Sequence, residues 1–232
     1  MLPQQVEKIK KALLQGKKIQ DLHKTQKEVF EDPTQYKFVV AGSGWGKTML
    51  AIIEIIKYAL ENPGSILAMV SPTDAMNTRN VWDSFKQIWD LLYYYGGIKQ
   101  TGITIEFKDS VSEIHFFINN YTSKLYFLSG YNDDRIRGLR INYFCGDEFC
   151  FISNNEELWE TVSGRLTPPY KVLIISTPPK YGIDKLYEFY QWGQKFNEDG
   201  TENSGYVENC KSWHFTSFDN KTIDGYSESI KE

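Results

Sequence analysis

The chain has 232 residues, which is enough for one large α/β domain or two small ones. Its 26 basic and 30 acidic side chains give a net charge of −4. This balance excludes a strongly basic protein that binds nucleic acid mainly through the phosphate backbone. Any contact with nucleic acid must therefore be local or shared among subunits. No apolar stretch is long enough to cross a bilayer, and Cys145, Cys150 and Cys210 lack metal-ligand spacing, which predicts a soluble, intracellular protein with buried free thiols.

The N-terminal segment carries Val6, Ile9, Leu13 and Leu14 at helical spacing among many lysines, which predicts an amphipathic helix over residues 1–20. Its basic face is either a solvated face or a contact for DNA or a partner.

Gln26 lies a short way upstream of the first apolar strand. A side-chain amide offers both a donor and an acceptor, which is what the edge of adenine requires. Two interpretations stay open: an adenine contact or an ordinary polar surface residue.

A glycine-rich loop follows the apolar run at residues 38–40. It ends in Gly46-Lys47-Thr48, and an apolar helix begins directly after it, which is the strand–loop–helix order of a P-loop. Small residues let backbone N–H groups wrap a phosphate; Lys47 is expected at the β- and γ-phosphates and Thr48 at Mg²⁺. The predicted ATP-binding loop consists of Ala41, Gly42, Ser43, Gly44, Trp45, Gly46, Lys47 and Thr48, with Ala41 in place of the usual first glycine.

The chain then alternates between helix and strand. Residues 49–60 are apolar almost all round, which predicts a buried helix that Asn62-Pro63-Gly64 ends. Residues 66–70 predict a strand buried on both faces, and the strand–helix–strand order implies a right-handed crossover in a parallel sheet. Ser71-Pro72-Thr73, at the end of this strand, is either a ligand contact or a plain loop.

A helix is predicted over residues 78–95, after which the apolar period changes to two. Alternation over residues 103–107, 114–118 and 125–127, with turn residues between, predicts antiparallel strands added to the parallel core.

Three arginines precede the next apolar run: Arg135, Arg137 and Arg140. A guanidinium group suits phosphate, although ion pairs with Asp133 and Asp134 are the competing interpretation.

The run at residues 141–146 ends in Asp147 and Glu148. In a P-loop enzyme the first acid, at a strand tip beside the loop, binds Mg²⁺, and the second orients or deprotonates the attacking water. We therefore predict Asp147 as the metal acid and Glu148 as the catalytic base.

Ser153 and Glu156 predict a capping box that opens a short helix through Val162. The strand predicted at residues 172–175 is followed by Ser176-Thr177-Pro178. These hydroxyls either lie near the γ-phosphate or form a turn or cap.

The rest of the chain predicts a helix over residues 183–192, a polar loop, a final strand region over 206–218 and a polar tail from residue 219.

Taken in order, the motifs resemble those of the ATPase domain of the large terminase subunit of tailed bacteriophages. They are Gln26, the loop at residues 41–48, Ser71-Pro72-Thr73, Arg137-Gly138-Leu139, Asp147-Glu148, and Ser176-Thr177-Pro178 followed by Gly182 and Phe189-Tyr190. The resemblance implies a P-loop NTPase fold of the ASCE/RecA-like type: a three-layer α/β sandwich with a mainly parallel central sheet and added antiparallel strands. It places the ATPase domain at residues 21–218, before a linker or tail at 219–232.

The resemblance also implies a motor ATPase that uses ATP and Mg²⁺ to move double-stranded viral DNA into a procapsid. Gln26 would match the adenine motif, Lys47 and Thr48 the Walker A pair, Asp147 the Walker B metal acid, and Glu148 the base. Ser176 and Thr177 would match the coupling motif. The implied partners are DNA, the portal protein, the small terminase subunit and further copies in a ring, usually a pentamer, while the isolated chain can remain a monomer. The implied location is the host cytoplasm, with transient docking on the procapsid.

The chain departs from this family in two respects. Many members carry an arginine in the P-loop where this chain has Ser43, so the charge that stabilises the transition state must come from another residue. The candidates are Arg135, Arg137, Arg140 and Arg165, with Arg137 as the first choice. The family also adds a C-terminal nuclease domain, which these residues are expected to lack, so we expect no nuclease activity from them.

Two other functions compete with this prediction. A helicase-type DNA translocase shares the P-loop core, but it needs a second core domain for which 232 residues leave no room. A scaffold that binds ATP without hydrolysing it would not need both Asp147 and Glu148.

Overall fold

The computed structural model describes residues 22–73, 81–94, 98–130, 134–178 and 185–220. The strands in these ranges are β1 (Tyr36–Ala41), β2 (Ile66–Ser71), β3 (Thr104–Lys108), β4 (Glu113–Ile118), β5 (Tyr121–Ser129), β6 (Ile141–Asp147), β7 (Leu166–Ser176) and β8 (Cys210–Phe215). The α-helices are α1 (Lys24–Glu31), α2 (Lys47–Glu61), α3 (Trp82–Tyr94), α4 (Asp134–Arg137), α5 (Asn155–Ser163) and α6 (Lys185–Trp192). The predicted helix at residues 1–20 and the tail from 221 lie outside the described residues.

All the strands join one sheet in the order β3-β4-β5-β2-β6-β7-β1-β8. The six neighbouring strands β5, β2, β6, β7, β1 and β8 pair parallel to one another. Strands β3 and β4 add an antiparallel edge next to β5. Strand β5 belongs to both parts, because it pairs antiparallel with β4 and parallel with β2. The prediction of a mainly parallel sheet with added antiparallel strands is confirmed.

Helices cover both faces of the sheet, and each face has its own apolar core. Alternate residues of a strand point to opposite faces, so Val39 of β1 belongs to the core on the side of α1, α2 and α3, while Phe38 belongs to the core on the side of α5 and α6. Helix α2 is buried almost all round, as its apolar sequence predicts. The result is a three-layer α/β sandwich.

The three cysteines are in the thiol form, with Cys145 and Cys210 buried and Cys150 partly exposed. Among the described helices, none combines the length and the apolar character needed to cross a membrane.

The carboxyl ends of the parallel strands share one edge, and that edge gathers the motifs. Val40 of β1 is paired with Ser176 of β7, and Asp147 of β6 is paired with Ile175 of β7. The P-loop leaves β1 at this edge, where open α/β sheets place their ligands. The fold therefore brings three motifs that are distant in sequence to one place.

Candidate nucleotide-binding and hydrolysis site

The P-loop joins β1 to α2 with two residues in the left-handed conformation, Gly44 (φ 77°) and Gly46 (φ 96°). Only glycine adopts these angles without strain, which explains their spacing in the sequence. Helix α2 begins at Lys47, so its first N–H groups face the end of the loop. The Lys47 side chain folds back over the loop and donates to the carbonyl oxygens of Ala41 (3.1 Å) and Gly42 (3.3 Å).

Asp147 and Thr48 meet across the loop, as the sequence predicts for a metal pair. The Thr48 hydroxyl donates to Asp147 Oδ2 at 3.1 Å, whereas Asp147 Oδ1 is buried and, within the described residues, has no hydrogen-bond partner. Burial, and then the charge of Glu148, raise the pKa of Asp147 to about 6, against the opposing effects of Thr48 and Lys47. A buried, unpartnered carboxylate oxygen beside a hydroxyl is a donor set that fits Mg²⁺.

Glu148 has a strained backbone, and its carboxylate accepts hydrogen bonds from Thr177 and, at 3.5 Å, from the Ser176 hydroxyl. Its φ is 48°, in the left-handed region that a residue with a side chain rarely adopts. The backbone N–H of Thr177 donates to Oε2 at 2.8 Å, and the Thr177 hydroxyl donates to Oε1 at 2.9 Å. The carboxylate of the predicted base is thus fixed by the tip of β7.

Thr177 also joins this carboxylate to the P-loop lysine. Lys47 Nζ donates to Thr177 Oγ1 at 2.8 Å and lies 3.4 Å from Glu148 Oε1. The chain Lys47–Thr177–Glu148 therefore links the predicted phosphate ligand to the predicted base through one hydroxyl.

Ser176, the other predicted coupling residue, is fully buried behind this chain. Its Oγ accepts from the Cys150 N–H at 3.3 Å and lies 2.8 Å from Cys150 Sγ, which in turn donates to the Thr177 carbonyl at 3.1 Å. Sequence reasoning treated Cys150 only as a thiol, because a lone cysteine after two acids carries no recognised pattern.

Gln26 lies against the P-loop and is fully buried, so the interpretation as a surface residue is wrong. Its Nε2 donates to the Gly46 carbonyl at 3.1 Å and lies 3.4 Å from the Trp45 carbonyl, and its Oε1 accepts from the His23 N–H at 3.1 Å. Both ends of the amide have protein partners. The contact with adenine stays a prediction, and it requires the Gln26 amide to leave Gly46.

Trp45 points its indole into the core instead of toward the phosphate position. The ring stacks on Phe215 with centroids 5.0 Å apart, and Nε1 donates to Thr25 Oγ1 at 3.1 Å. Of the predicted loop residues, Trp45 can therefore meet a nucleotide only through its backbone, whereas Ser43 is exposed.

The candidate arginines lie on the surface, and within the described residues two of them lie near glutamates. Arg137 is half exposed and lies 3.7 Å from Glu157 Oε1, and Arg135 lies 3.5 Å from Glu113 Oε1. Arg140 and Arg165 are exposed. Asp133, one of the two aspartates considered as ion-pair partners of these arginines, lies outside the described residues.

The last predicted motif, Ser71-Pro72-Thr73, lies at the tip of β2, next to β6. The Ser71 hydroxyl is buried and, in the described part of the chain, has no hydrogen-bond partner.

The family model described as "Terminase large subunit, T4likevirus-type, N-terminal" matches residues 38–230. Among solved structures, the large terminase ATPase domain of Thermus phage P74-26 is similar, with 20% identity and a TM-score of 0.64 over 83% of this chain and 80% of that one. The large terminase of a second phage, described as a thermophilic bacteriophage, has 15% identity and a TM-score of 0.66 over 90% of this chain and 49% of that one, so this chain spans about half of that protein. The HK97 bacteriophage large terminase has 15% identity and a TM-score of 0.56 over 73% and 36% of the two chains. No curated protein sequence matches the chain.

Proposed function

The chain belongs to the family of N-terminal domains of T4-like large terminase subunits, and on this premise we propose that it is an ATPase that drives double-stranded viral DNA into a procapsid. The observation that carries the proposal is the convergence of Lys47, Thr48, Asp147, Glu148 and Thr177 at one edge of the sheet. Such a site holds the parts that phosphoryl transfer needs: a phosphate cradle, a metal acid and a base.

ATP would bind with its phosphates on the P-loop and the N-terminus of α2. Lys47 would then exchange the carbonyl oxygens of Ala41 and Gly42 for phosphate oxygens, which bind an ammonium group more strongly because they are charged. The large terminase of the second, thermophilic bacteriophage is described in complex with ADP and with ATP-γ-S, which supports nucleotide binding by this fold.

Thr48 and Asp147 would hold Mg²⁺, and the ion would supply positive charge to the β- and γ-phosphate oxygens. In this chain the ion would also relieve a cost, because the ionised Asp147 carboxylate is buried with one oxygen that has no partner among the described residues.

Glu148 would orient or deprotonate the attacking water. When the γ-phosphate takes Lys47, the ammonium group leaves Thr177 Oγ1 and the neighbouring Glu148 oxygen. We assign to Ser176 and Thr177 the coupling of this change to movement of the DNA, since Thr177 lies between Lys47 and Glu148 and the Ser176 hydroxyl also contacts the Glu148 carboxylate.

The proposed partners are double-stranded DNA, the portal protein, the small terminase subunit and further copies in a ring, with Arg137 acting on the site of a neighbouring subunit. We place the protein in the host cytoplasm, docked on the procapsid during packaging. The ATPase domain is proposed to occupy residues 21–218, between the N-terminal helix at 1–20 and a linker at 219–232.

The competing functions are separated by measuring phosphate release from Mg-ATP and unwinding of a short DNA duplex with the same preparation. A packaging motor domain releases phosphate and leaves the duplex intact. Unwinding by this chain alone would favour the helicase-type translocase, and tight ATP binding without phosphate release would favour the scaffold.

A further inference from the structure

Three consecutive carbonyl groups of the P-loop accept hydrogen bonds from side chains outside the loop. Asn220 Nδ2 donates to the Gly44 carbonyl at 2.8 Å, and His23 Nε2 donates to the Trp45 carbonyl at 2.8 Å. Gln26 Nε2 donates to the Gly46 carbonyl at 3.1 Å. A phosphate-binding loop uses the N–H groups of its peptides, so donors on the carbonyl oxygens hold those peptides in a fixed orientation.

His23 is oriented by its own contacts. Its Nδ1 accepts from the Gln26 backbone N–H at 3.4 Å, so the ring proton is on Nε2 and is donated to Trp45. Burial lowers the pKa of His23, against the bond to Trp45 and the charge of Asp219, which is consistent with a neutral ring.

Gln26 is oriented in the same way. Its Oε1 accepts from the His23 N–H, so the NH₂ group is the end that faces the loop. Gly46 allows this approach, because a Cβ at that position would lie 2.5 Å from Gln26 Nε2.

The end of β8 and the segment after it hold the loop from a second direction. The Gly42 N–H donates to the Phe215 carbonyl at 3.1 Å, and the Phe215 ring stacks on Trp45. A Cβ at Gly42 would lie 2.4 Å from Ser217 Oγ, so close packing against this segment requires a glycine here. We call residues 23–26 and 215–220 together the loop brace.

We propose that Gln26, His23 and Asn220 are positioning residues that hold the P-loop in its phosphate-binding conformation, and that Gln26 acts on the loop backbone and not on the base. The inference rests on the proposed function, since it concerns the same nucleotide site. It differs from the adenine contact that the family resemblance implies, because a brace on the loop affects every ligand that carries the phosphates, whatever its base.

The test compares a ligand that has a base with one that has none. Dissociation constants for ADP and for inorganic tripolyphosphate are measured by calorimetry on the full chain, for the wild type, Gln26→Ala, Asn220→Ala and Asn220→Asp. Asn197→Ala serves as the control, because its side-chain amide bonds to Thr201 in an exposed loop away from the site.

We expect Gln26→Ala to weaken both ligands by the same factor, about 5- to 20-fold, as lost hydrogen bonds of ordinary strength predict. Asn220→Asp should weaken both more than Asn220→Ala, because a carboxylate would face the Gly44 carbonyl. Asn197→Ala should change neither constant. Because Asn220 lies at the surface end of the brace, its two variants test the proposal even if Gln26→Ala does not fold.

Three results would overturn the inference: Gln26→Ala weakening ADP alone, Asn220→Asp binding like Asn220→Ala, or a wild type that binds ADP but not tripolyphosphate. The first would restore the adenine contact. A wild type that binds neither ligand would instead contradict the proposed function itself, so the two failures are distinguishable.

Discussion

At the scale of single residues, Thr177 is the side chain on which the two charged parts of the site meet. Its hydroxyl accepts from Lys47 and donates to Glu148, while its backbone N–H holds the second oxygen of the same carboxylate. A substitution that removes only the hydroxyl therefore distinguishes the side-chain contacts of Thr177 from its backbone contact with Glu148.

Thr177→Val should lower kcat for ATP hydrolysis by roughly 10- to 100-fold, because the Glu148 carboxylate loses the hydrogen bond that holds its Oε1 and misplaced groups lose rate at about this scale. Thr177→Ser, which keeps the hydroxyl, should retain most of the wild-type kcat. Steady-state phosphate release at saturating ATP gives both numbers. A valine variant with the wild-type kcat would show that the hydroxyl has no part in positioning Glu148.

Asp147 provides a test of charge burial. Its pKa is raised from 3.8 to about 6, so the protonated form stabilises the fold at low pH and this contribution is lost as the pH rises through 6. Above pH 7 and without metal, Asp147→Asn should therefore unfold at higher urea concentration, with a gain on the order of 1–3 kcal/mol.

Mg²⁺ should reverse this comparison. Added metal is expected to stabilise the wild type, because binding to the folded state adds to its stability, and to leave Asp147→Asn unchanged. The measurement is urea denaturation at pH 7.5 with EDTA and with Mg²⁺. If Asp147→Asn is less stable than the wild type in EDTA, burial of the ionised Asp147 carboxylate does not destabilise the fold.

Part of the site could be predicted from single residues, and part could not. Lys47, Thr48, Asp147 and Glu148 follow from motifs whose spacing reflects their chemistry, and the structure brings them together. The left-handed backbone of Glu148 could not be predicted, because it depends on how the chain turns from β6 into the following 3₁₀ turn. The role of His23 was missed for a similar reason, since its partner lies 22 residues away.

At the scale of elements, the helix caps show how local rules succeed and fail. The capping box predicted at Ser153 and Glu156 is wrong: α5 begins at Asn155, and its N-cap Asn154 makes no side-chain cap bond. The capping box of α1 instead uses His23 and Gln26, a helix that the sequence did not predict. The usual rule lists hydroxyl, carboxylate and amide caps, so a histidine cap escapes it.

Strand β7 is longer than the strand predicted from the sequence, because its first half contains two prolines, which are not typical of a strand. It begins at Leu166, and its pairing with β6 shifts register between Leu166 and Lys171, on either side of Pro168 and Pro169. A proline cannot donate to a ladder, so it is tolerated where the ladder is interrupted. The apolar run alone marked only the half buried in the core.

A buried ion pair joins α1, β1 and α2. Lys37 Nζ lies 2.7 Å from Glu54 Oε1 and also donates to the Val29 carbonyl, and both charged side chains are almost fully buried. Glu54→Ala should destabilise the domain by about 3–5 kcal/mol, because it leaves a buried ammonium group without its partner charge.

The matched control is Glu188→Ala, which breaks the more exposed pair with Lys185 and should cost less than about 1 kcal/mol. The double change Lys37→Met with Glu54→Leu should recover most of the loss, since apolar side chains of similar size replace both charges. Chemical denaturation of the variants gives these differences. If Glu54→Ala and Glu188→Ala lowered the free energy of unfolding equally, burial would not be what makes the Lys37–Glu54 pair important for stability.

At the scale of the whole molecule, the alternation of strands and helices predicts the parallel core but not the strand order. The insertion of β7 between β6 and β1 depends on pairing between distant segments, such as Tyr36 with Val172, which no local pattern records. The same topology explains the site, because it places the tips of β1, β6 and β7 side by side.

Assembly should govern the rate of the isolated domain. Arg137 is half exposed, and its glutamate partner Glu157 is exposed as well, so its guanidinium group is within reach of a neighbouring subunit. If it completes that subunit's site, turnover per subunit rises with protein concentration, and Arg137→Ala abolishes the rise, since an arginine finger contributes about 10³-fold or more.

A dilution series with phosphate release as the readout measures this dependence, and Arg165→Ala is the comparison, because we expect it to keep the rise. Turnover per subunit that does not change with concentration would count against a finger supplied by another subunit.

The most direct test of the account compares ATP binding with ATP hydrolysis in the wild type, Glu148→Gln and the surface control Glu160→Gln. Glutamine keeps the size of the side chain and removes the basic carboxylate, so Glu148→Gln should bind ATP as the wild type does and hydrolyse it about 10²-fold more slowly or worse. Glu160→Gln should match the wild type in both. Hydrolysis by Glu148→Gln at the wild-type rate would contradict the assignment of the base, and with it the site on which the proposed motor depends.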